Sequence, residues 1–150
     1  MTDPVDDERI TAYGRLVEVA ARLDRILGRE LEAGASMPLN WFEALLRLAR
    51  SPGGALTAGS LSQQIALTSG GVTRLVDRLV DAGYADRRPA PTDRRSLLVV
   101  ITARGRRALQ AACEVHLRGL DQHVFSRLSE RDVEDLARVL DALRPDRIQD

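Results

Sequence analysis

The sequence predicts a mainly α fold with a small β wing: a winged helix-turn-helix flanked by longer helices at both ends of the chain. Three observations carry this expectation. Two short, capped, amphipathic segments follow one another between Thr57 and Gly83. Two strand-like runs come next, residues 84–88 and 96–101, with a connection of seven residues, 89–95, between them. The chain on either side consists of long helical stripes of apolar residues.

The N-terminal arm places Ile10, Tyr13, Leu16, Val17, Ala20, Leu23, Ile26, Leu27 and Leu31 on one helical face. A shorter helix follows Pro38 and Leu39, with Asn40 as the expected cap and Glu43 completing a capping box. Ser51, Pro52, Gly53 and Gly54 end it. Thr57, Ser60, Leu61 and Ile65 then predict a capped first helix of the central motif, ending near Ala66. Thr68 and Ser69 cap the next one, whose apolar stripe is Val72, Leu75, Val76, Leu79 and Val80. On a helical wheel Gly70, Arg74, Asp77, Arg78 and Asp81 fall on the opposite, exposed side, and Gly83 supplies a left-handed stop. The connection after the first strand run is stiffened by Pro89 and Pro91 and ends in Arg94 and Arg95, which suits a loop that carries positive charge away from the body. Thr102 caps a helix expected to reach about Leu128, with Leu109, Ala112, Cys113, His116, Leu117, Leu120, Val124 and Leu128 along one side. Ser129 starts a last helix with Val133, Leu136, Ala137, Leu140 and Leu143 at heptad-like spacing, stopping before Pro145. The two ends hold more apolar helical surface than the central motif can cover. Packing of the terminal helices on each other would account for it, and so would a subunit interface built from both.

At 150 residues, 44% hydrophobic and 29% charged, the chain can build the core of one domain. No apolar run approaches the roughly 20 residues of a membrane span, and the start MTDPVDDER lacks the regions of a secretion signal, so a cytoplasmic protein is expected. A single cysteine, Cys113, excludes an internal disulfide, and with only His116 and His123 beside it no structural metal or cofactor is expected. Net charge is zero, but its distribution is uneven. Residues 1–32 carry five arginines against eight acids, residues 33–73 two against one, residues 74–107 nine against four, and residues 108–150 six against nine. The positive segment covers the second helix of the motif and the wing, as a polyanionic partner would require. No nucleophile motif, zinc-protease helix or phosphate loop is present, which argues against an enzyme.

Leu67-Thr68-Ser69-Gly70-Gly71-Val72-Thr73-Arg74, Asp77-Arg78-Leu79, Gly83-Tyr84, Asp93-Arg94-Arg95 and Thr102-Ala103-Arg104-Gly105 together resemble the MarR transcriptional regulators in order and spacing. With the long first helix and the two closing helices, the resemblance covers nearly the whole chain. It implies a single domain over residues 1–150, with residues 1–35 and 103–150 as dimerisation helices and 38–102 as the DNA-binding lobe. It implies a homodimer that meets a pseudo-palindromic operator on double-stranded DNA and represses by occlusion, released by a phenolic, aromatic or drug-like effector or by an oxidant. An activator, a constitutive binder, a protein-interaction module that has lost DNA affinity, and a thiol sensor acting through Cys113 are the competing readings.

Each candidate residue has a structural alternative. Thr68 and Ser69 can serve as caps alone, or present free amides to a phosphate that Gly70 and Gly71 allow to come close. Arg74 can read guanine O6 and N7, or pair with Asp77 on a solvated face. Thr73 can touch a thymine methyl or a phosphate. Arg78 can bind phosphate or pair with Asp81, and Asp77 and Asp81 are assigned to salt bridges. Of Arg87 and Arg88, strand alternation turns one outward, and Arg88 is the candidate. The resemblance assigns Asp93 to bracing the wing and Arg95 to the minor groove, leaving Arg94 for a phosphate; all three can also be a solvated turn. Cys113 and His116 lie on an apolar stripe, so a structural thiol and a core or interface histidine compete with any redox or metal role. Trp41 and Phe42 sit where the resemblance places an effector pocket, though an aromatic pair is also ordinary core. The urate-responsive pattern, with a tryptophan in the first helix, is not matched.

Overall fold

The Asp7 carboxylate accepts the Arg9 amide at 2.8 Å and so caps the first long helix, α1 (Glu8–Ala35). The computed structural model describes residues 3–65, 67–91 and 96–144. Within it the chain divides into two units, residues 1–116 and 117–150.

In the first unit α1 is followed by α2 (Leu39–Arg50), β1 (Ala55–Thr57), α3 (Ala58–Gln64), α4 (Ser69–Asp81), β2 (Ala85–Pro89) and β3 (Leu97–Ile101). The first half of α5 (Ala103–His123) completes the unit. The expected helices are present, with one correction at α2. Its cap is Pro38, whose carbonyl accepts the amides of Trp41 and Phe42 at 3.0 and 3.1 Å. Asn40 already lies inside the helix, so it cannot take the extended backbone that a cap needs, and no capping box forms with Glu43. Gly53 and Gly54, with φ of 65° and 69°, turn the chain after α2 into a strand that the sequence reading did not anticipate. That strand, β1, pairs antiparallel with β3 (Leu56 opposite Val99), and β3 pairs antiparallel with β2 (Arg87 opposite Val99). The sheet order is therefore β1-β3-β2. One core joins the elements of this unit. It is built from Leu31, Phe42, Leu45, Leu48, Leu61, Val72, Val76, Leu79, Val99, Ile101 and Leu109. It fixes the orientation of α4, because four residues of that helix, Val72, Leu75, Val76 and Leu79, are buried.

The second unit contains the end of α5, a 3-10 turn at Phe125–Arg127, and α6 (Glu130–Ala142). Here α5 stops at His123 instead of running to Leu128, and Val124 leaves helical geometry with φ −123° and ψ −70°. α6 starts as expected at Ser129, with a full capping box to Asp132.

Apolar rows at both ends are uncovered. Ile10, Tyr13, Leu16 and Val17 on α1 are exposed, and burial along that helix begins only at Leu27. On α6 Leu136, Val139 and Leu140 are exposed, and no residue of that helix is buried.

Candidate nucleic-acid interface

The start of α4 combines a cap with open donors. Thr68 Oγ1 accepts the Gly71 amide at 3.2 Å and the Thr68 carbonyl accepts the Val72 amide at 2.9 Å. The amides of Ser69 and Gly70 have no acceptor among the described residues. Of the two expected caps, Thr68 alone fills the role and Ser69 is already the first residue of the helix, while two donors stay open at its positive end among the described residues. The glycines differ. A Cβ on Gly71 would press on Thr68 Oγ1 at 3.2 Å, so that glycine makes room for the cap, whereas a Cβ on Gly70 would meet nothing within 4 Å. Gly70→Ala is accordingly expected to raise stability by up to about 1 kcal/mol, because alanine is the better helix former. It should also weaken DNA binding if the bare backbone is there for a phosphate. Thermal melts and anisotropy titrations check the two halves, and unchanged DNA affinity would remove Gly70 from the interface.

Thr73 donates its hydroxyl to the Ser69 carbonyl at 3.0 Å. A threonine has one O–H to give, so this bond suits contact through the methyl group better than a phosphate contact. Arg74 and Arg78 are exposed, and neither forms an ion pair among the described residues. The Arg74–Asp77 pair weighed from the sequence does not form. Asp77 binds Arg87 of β2 instead, which removes one acid from the α4 surface and ties helix to sheet. Asp81, assigned to a salt bridge, has none among the described residues.

On β2, alternation separates the two arginines: Arg87 is held against α4, while Arg88 pairs with Asp86 at 3.3 Å and keeps 64% of its side chain exposed. The ladder extends past Pro89–Leu97 through the Ala90 amide, which donates to the Ser96 carbonyl at 2.8 Å. Asp93, Arg94 and Arg95 lie outside the described residues.

Behind the wing Thr102 locks three elements. Its hydroxyl donates to the Gly83 carbonyl at 2.7 Å and accepts the Gly105 amide at 2.9 Å. Gly83, with φ 74°, closes α4 through a Schellman pair: its own amide donates to the Val80 carbonyl and that of Tyr84 to the Leu79 carbonyl, each at 2.8 Å. Trp41 packs edge-on against Tyr84 (centroids 6.0 Å apart, 87° between planes), and the Arg104 guanidinium lies 5.6 Å over the same ring.

A cavity of about 300 Å³ opens between α1, α2 and α5 in the first unit. Phe42 lines it together with Ala20, Leu23, Leu27, Leu39 and Leu46; its polar groups are Asp24, Glu43, Arg47 and His116. Trp41 is not among the lining residues, being engaged with Tyr84. His116 packs on Phe42 with centroids 4.6 Å apart, and its Nδ1 is buried without a hydrogen-bond partner among the described residues. Burial lowers its pKa, partly offset by Glu30. Burial raises the Glu43 pKa and Asp24 adds to the rise, against the pull of Arg47. The four polar residues come from three helices with no shared spacing, so no sequence signal marks them as a group. Cys113 is half-buried and packs against the core, and burial pushes its thiol pKa up, opposed by Arg50. Among the described residues no group of acids, histidines and cysteine could hold a metal ion, and no helix is long and apolar enough to cross a membrane.

Residues 35–96 match the family model described as MarR family. The chain is 31% identical over 128 residues to the HTH-type transcriptional repressor Rv2887 of Mycobacterium tuberculosis, covering 83% of this chain and 90% of that one. A shorter match, 38% identical over 90 residues, spans 57% of this chain and 58% of the HTH-type transcriptional regulator YcgE of Bacillus subtilis. Among solved structures, the fold is similar to Sco3205, a MarR family transcriptional regulator from Streptomyces coelicolor, in complex with DNA. The TM-score is 0.81 at 26% identity, over 91% of this chain and 85% of that one.

Proposed function

This chain belongs to the MarR family of DNA-binding transcriptional regulators, and we propose that it acts there as a homodimeric repressor relieved by a small, largely apolar effector. One observation carries the DNA-binding geometry. The core orients α4 so that the amides of Ser69 and Gly70 and the guanidiniums of Arg74 and Arg78, without partners among the described residues, share its exposed side. Such a helix start offers donors and a positive dipole end to a phosphate while its arginines reach base edges. Thr68 and Gly71 hold the helix start, Thr73 adds a methyl contact, and Arg88 extends the phosphate footprint from β2. Asp93, Arg94 and Arg95 form the wing contact, with Arg95 in the minor groove.

The exposed rows on α1 and α6 support the dimer, since uncovered apolar helix faces of this kind mark interaction surfaces. Residues 1–35 and 103–150 then supply the dimer helices and residues 38–102 the DNA-binding lobe. Two recognition helices about 34 Å apart would meet successive major grooves of a pseudo-palindromic operator. Rv2887 is named a repressor and Sco3205 was solved on DNA, which supports the same direction of action here. The cavity beside Phe42 is the effector site of this reading. Nothing favours thiol sensing through Cys113, because a raised pKa leaves little thiolate to react. A protein-interaction role leaves the arginine-rich segment without a purpose.

Fluorescence anisotropy with DNA upstream of the protein's own gene, against unrelated DNA at two salt concentrations, tests the proposal. Binding should prefer the upstream DNA and weaken with log salt at a slope near −0.9 for each phosphate neutralised. Arg95→Ala should reduce operator affinity by about tenfold while leaving the dimer and its melting temperature unchanged, as expected for one arginine in a narrow minor groove. Wild-type affinity in that variant would refute the wing assignment.

A further inference from the structure

The cavity beside Phe42 has an unbalanced polar lining. Asp24 from α1 and Glu43 from α2 contribute two carboxylates against the single guanidinium of Arg47, and none of the three forms an ion pair among the described residues. His116 lines the same wall, its ring packed on Phe42. We propose that the ligand of this cavity is an aromatic or polycyclic amine bound as its monocation, with its ammonium facing Asp24 and Glu43, and not the phenolic anion expected from the family resemblance. This rests on the effector reading of the same cavity.

The charge argument is direct. A bound anion would have one cation to pair with and two carboxylates to repel it, in a site whose walls are otherwise apolar. A bound ammonium would have two counter-charges and would bring the net local charge to zero. Partial burial is the larger cause of the raised Glu43 pKa and the Asp24 charge adds to it, and a bound cation would offset that second contribution. A volume of about 300 Å³ lies at the small end of ligand sites, enough for a two-ring body beside the Phe42 face.

Isothermal titration calorimetry with 2-(1-naphthyl)ethylamine, 2-(1-naphthyl)ethanol and 1-naphthylacetate presents one ring system as cation, neutral molecule and anion. The amine should bind about tenfold or more tighter than the acetate, and Asp24→Asn combined with Glu43→Gln should weaken the amine about tenfold without changing the alcohol. Both side chains are exposed, so the double variant should melt like the parent protein. Equal or tighter binding of the acetate would overturn the charge class while leaving the effector reading in place. Equal binding of all three, unaffected by the double variant, would overturn it as a merely apolar contact. If none binds, the proposal fails, and release of operator DNA by some other small molecule would then show that the effector reading survives without this cavity.

Discussion

Replacing Gly105 by alanine is expected to destabilise the fold by on the order of 3 kcal/mol, although the substitution puts a better helix former into a helix. Gly105 lies in the first turn of α5 and is buried. A Cβ there would overlap the Tyr84 carbonyl oxygen, and it would also stand 3.0 Å from Ile101 Cγ1. The carbonyl has little freedom to retreat, because it accepts the Thr102 amide at 3.0 Å, while Thr102 is itself bound to Gly83 and Gly105. Relief would require α5 to move away from the end of α4, which would stretch the Thr102 bonds and loosen Ile101 in the core. Chemical denaturation followed by circular dichroism would measure the loss. Helix propensity alone gives the opposite sign, so a neutral or stabilised variant would show that the contact at Tyr84 is slack. Because Thr102 and Gly105 position α5 behind the wing, a partly folded variant should also lose DNA affinity in proportion to its unfolded fraction.

That motif marks where the sequence was informative and where it stopped. Thr102 and Gly105 were legible as a pattern, and the cap was predicted, but the reason for glycine is a carbonyl 21 positions earlier, a packing fact that no local rule contains. The caps at Thr57, Thr68 and Ser129 and the stop at Gly83 were readable because each depends on a few neighbouring residues. The Asn40 cap failed for the opposite reason. Pro38 and Asn40 are both acceptable near a helix start, and local residue type alone does not choose between them. β1 escaped notice because three residues show no alternation, and it exists only through pairing with β3. The end of α5 was overrun because Val124 and Leu128 continue the apolar spacing through the break, where neither glycine nor proline signals a stop. On the candidate interface, the exposed face of α4 followed from periodicity. The partner of Asp77 did not, since Arg87 lies ten positions away on a strand.

Arg74→Ala is expected to weaken operator binding by roughly 10- to 100-fold, the range for losing one bidentate contact to a base. Arg74 is exposed on α4, one turn from the open amides of Ser69 and Gly70, with its neighbours Leu75 and Val76 buried so that the helix cannot roll away. Its natural competitor within the chain, Asp77, is bound to Arg87, so the guanidinium does not have to leave an ion pair before it meets DNA. Arg78 lies about one turn further from the helix start and is better placed for backbone phosphates than for bases. Arg74→Lys separates the two roles. If Arg74 reads a guanine, lysine should keep the charge and the salt dependence yet lose most of the discrimination between operator and base-substituted operator, because an ammonium lacks the planar fork. If Arg74 only neutralises a phosphate, lysine should restore affinity on every sequence, and alanine should lower the salt slope by about 0.9. Competition titrations with operators altered one base pair at a time would distinguish them. Wild-type affinity in both variants would exclude Arg74 from the interface and transfer the recognition role to Thr73 and the wing.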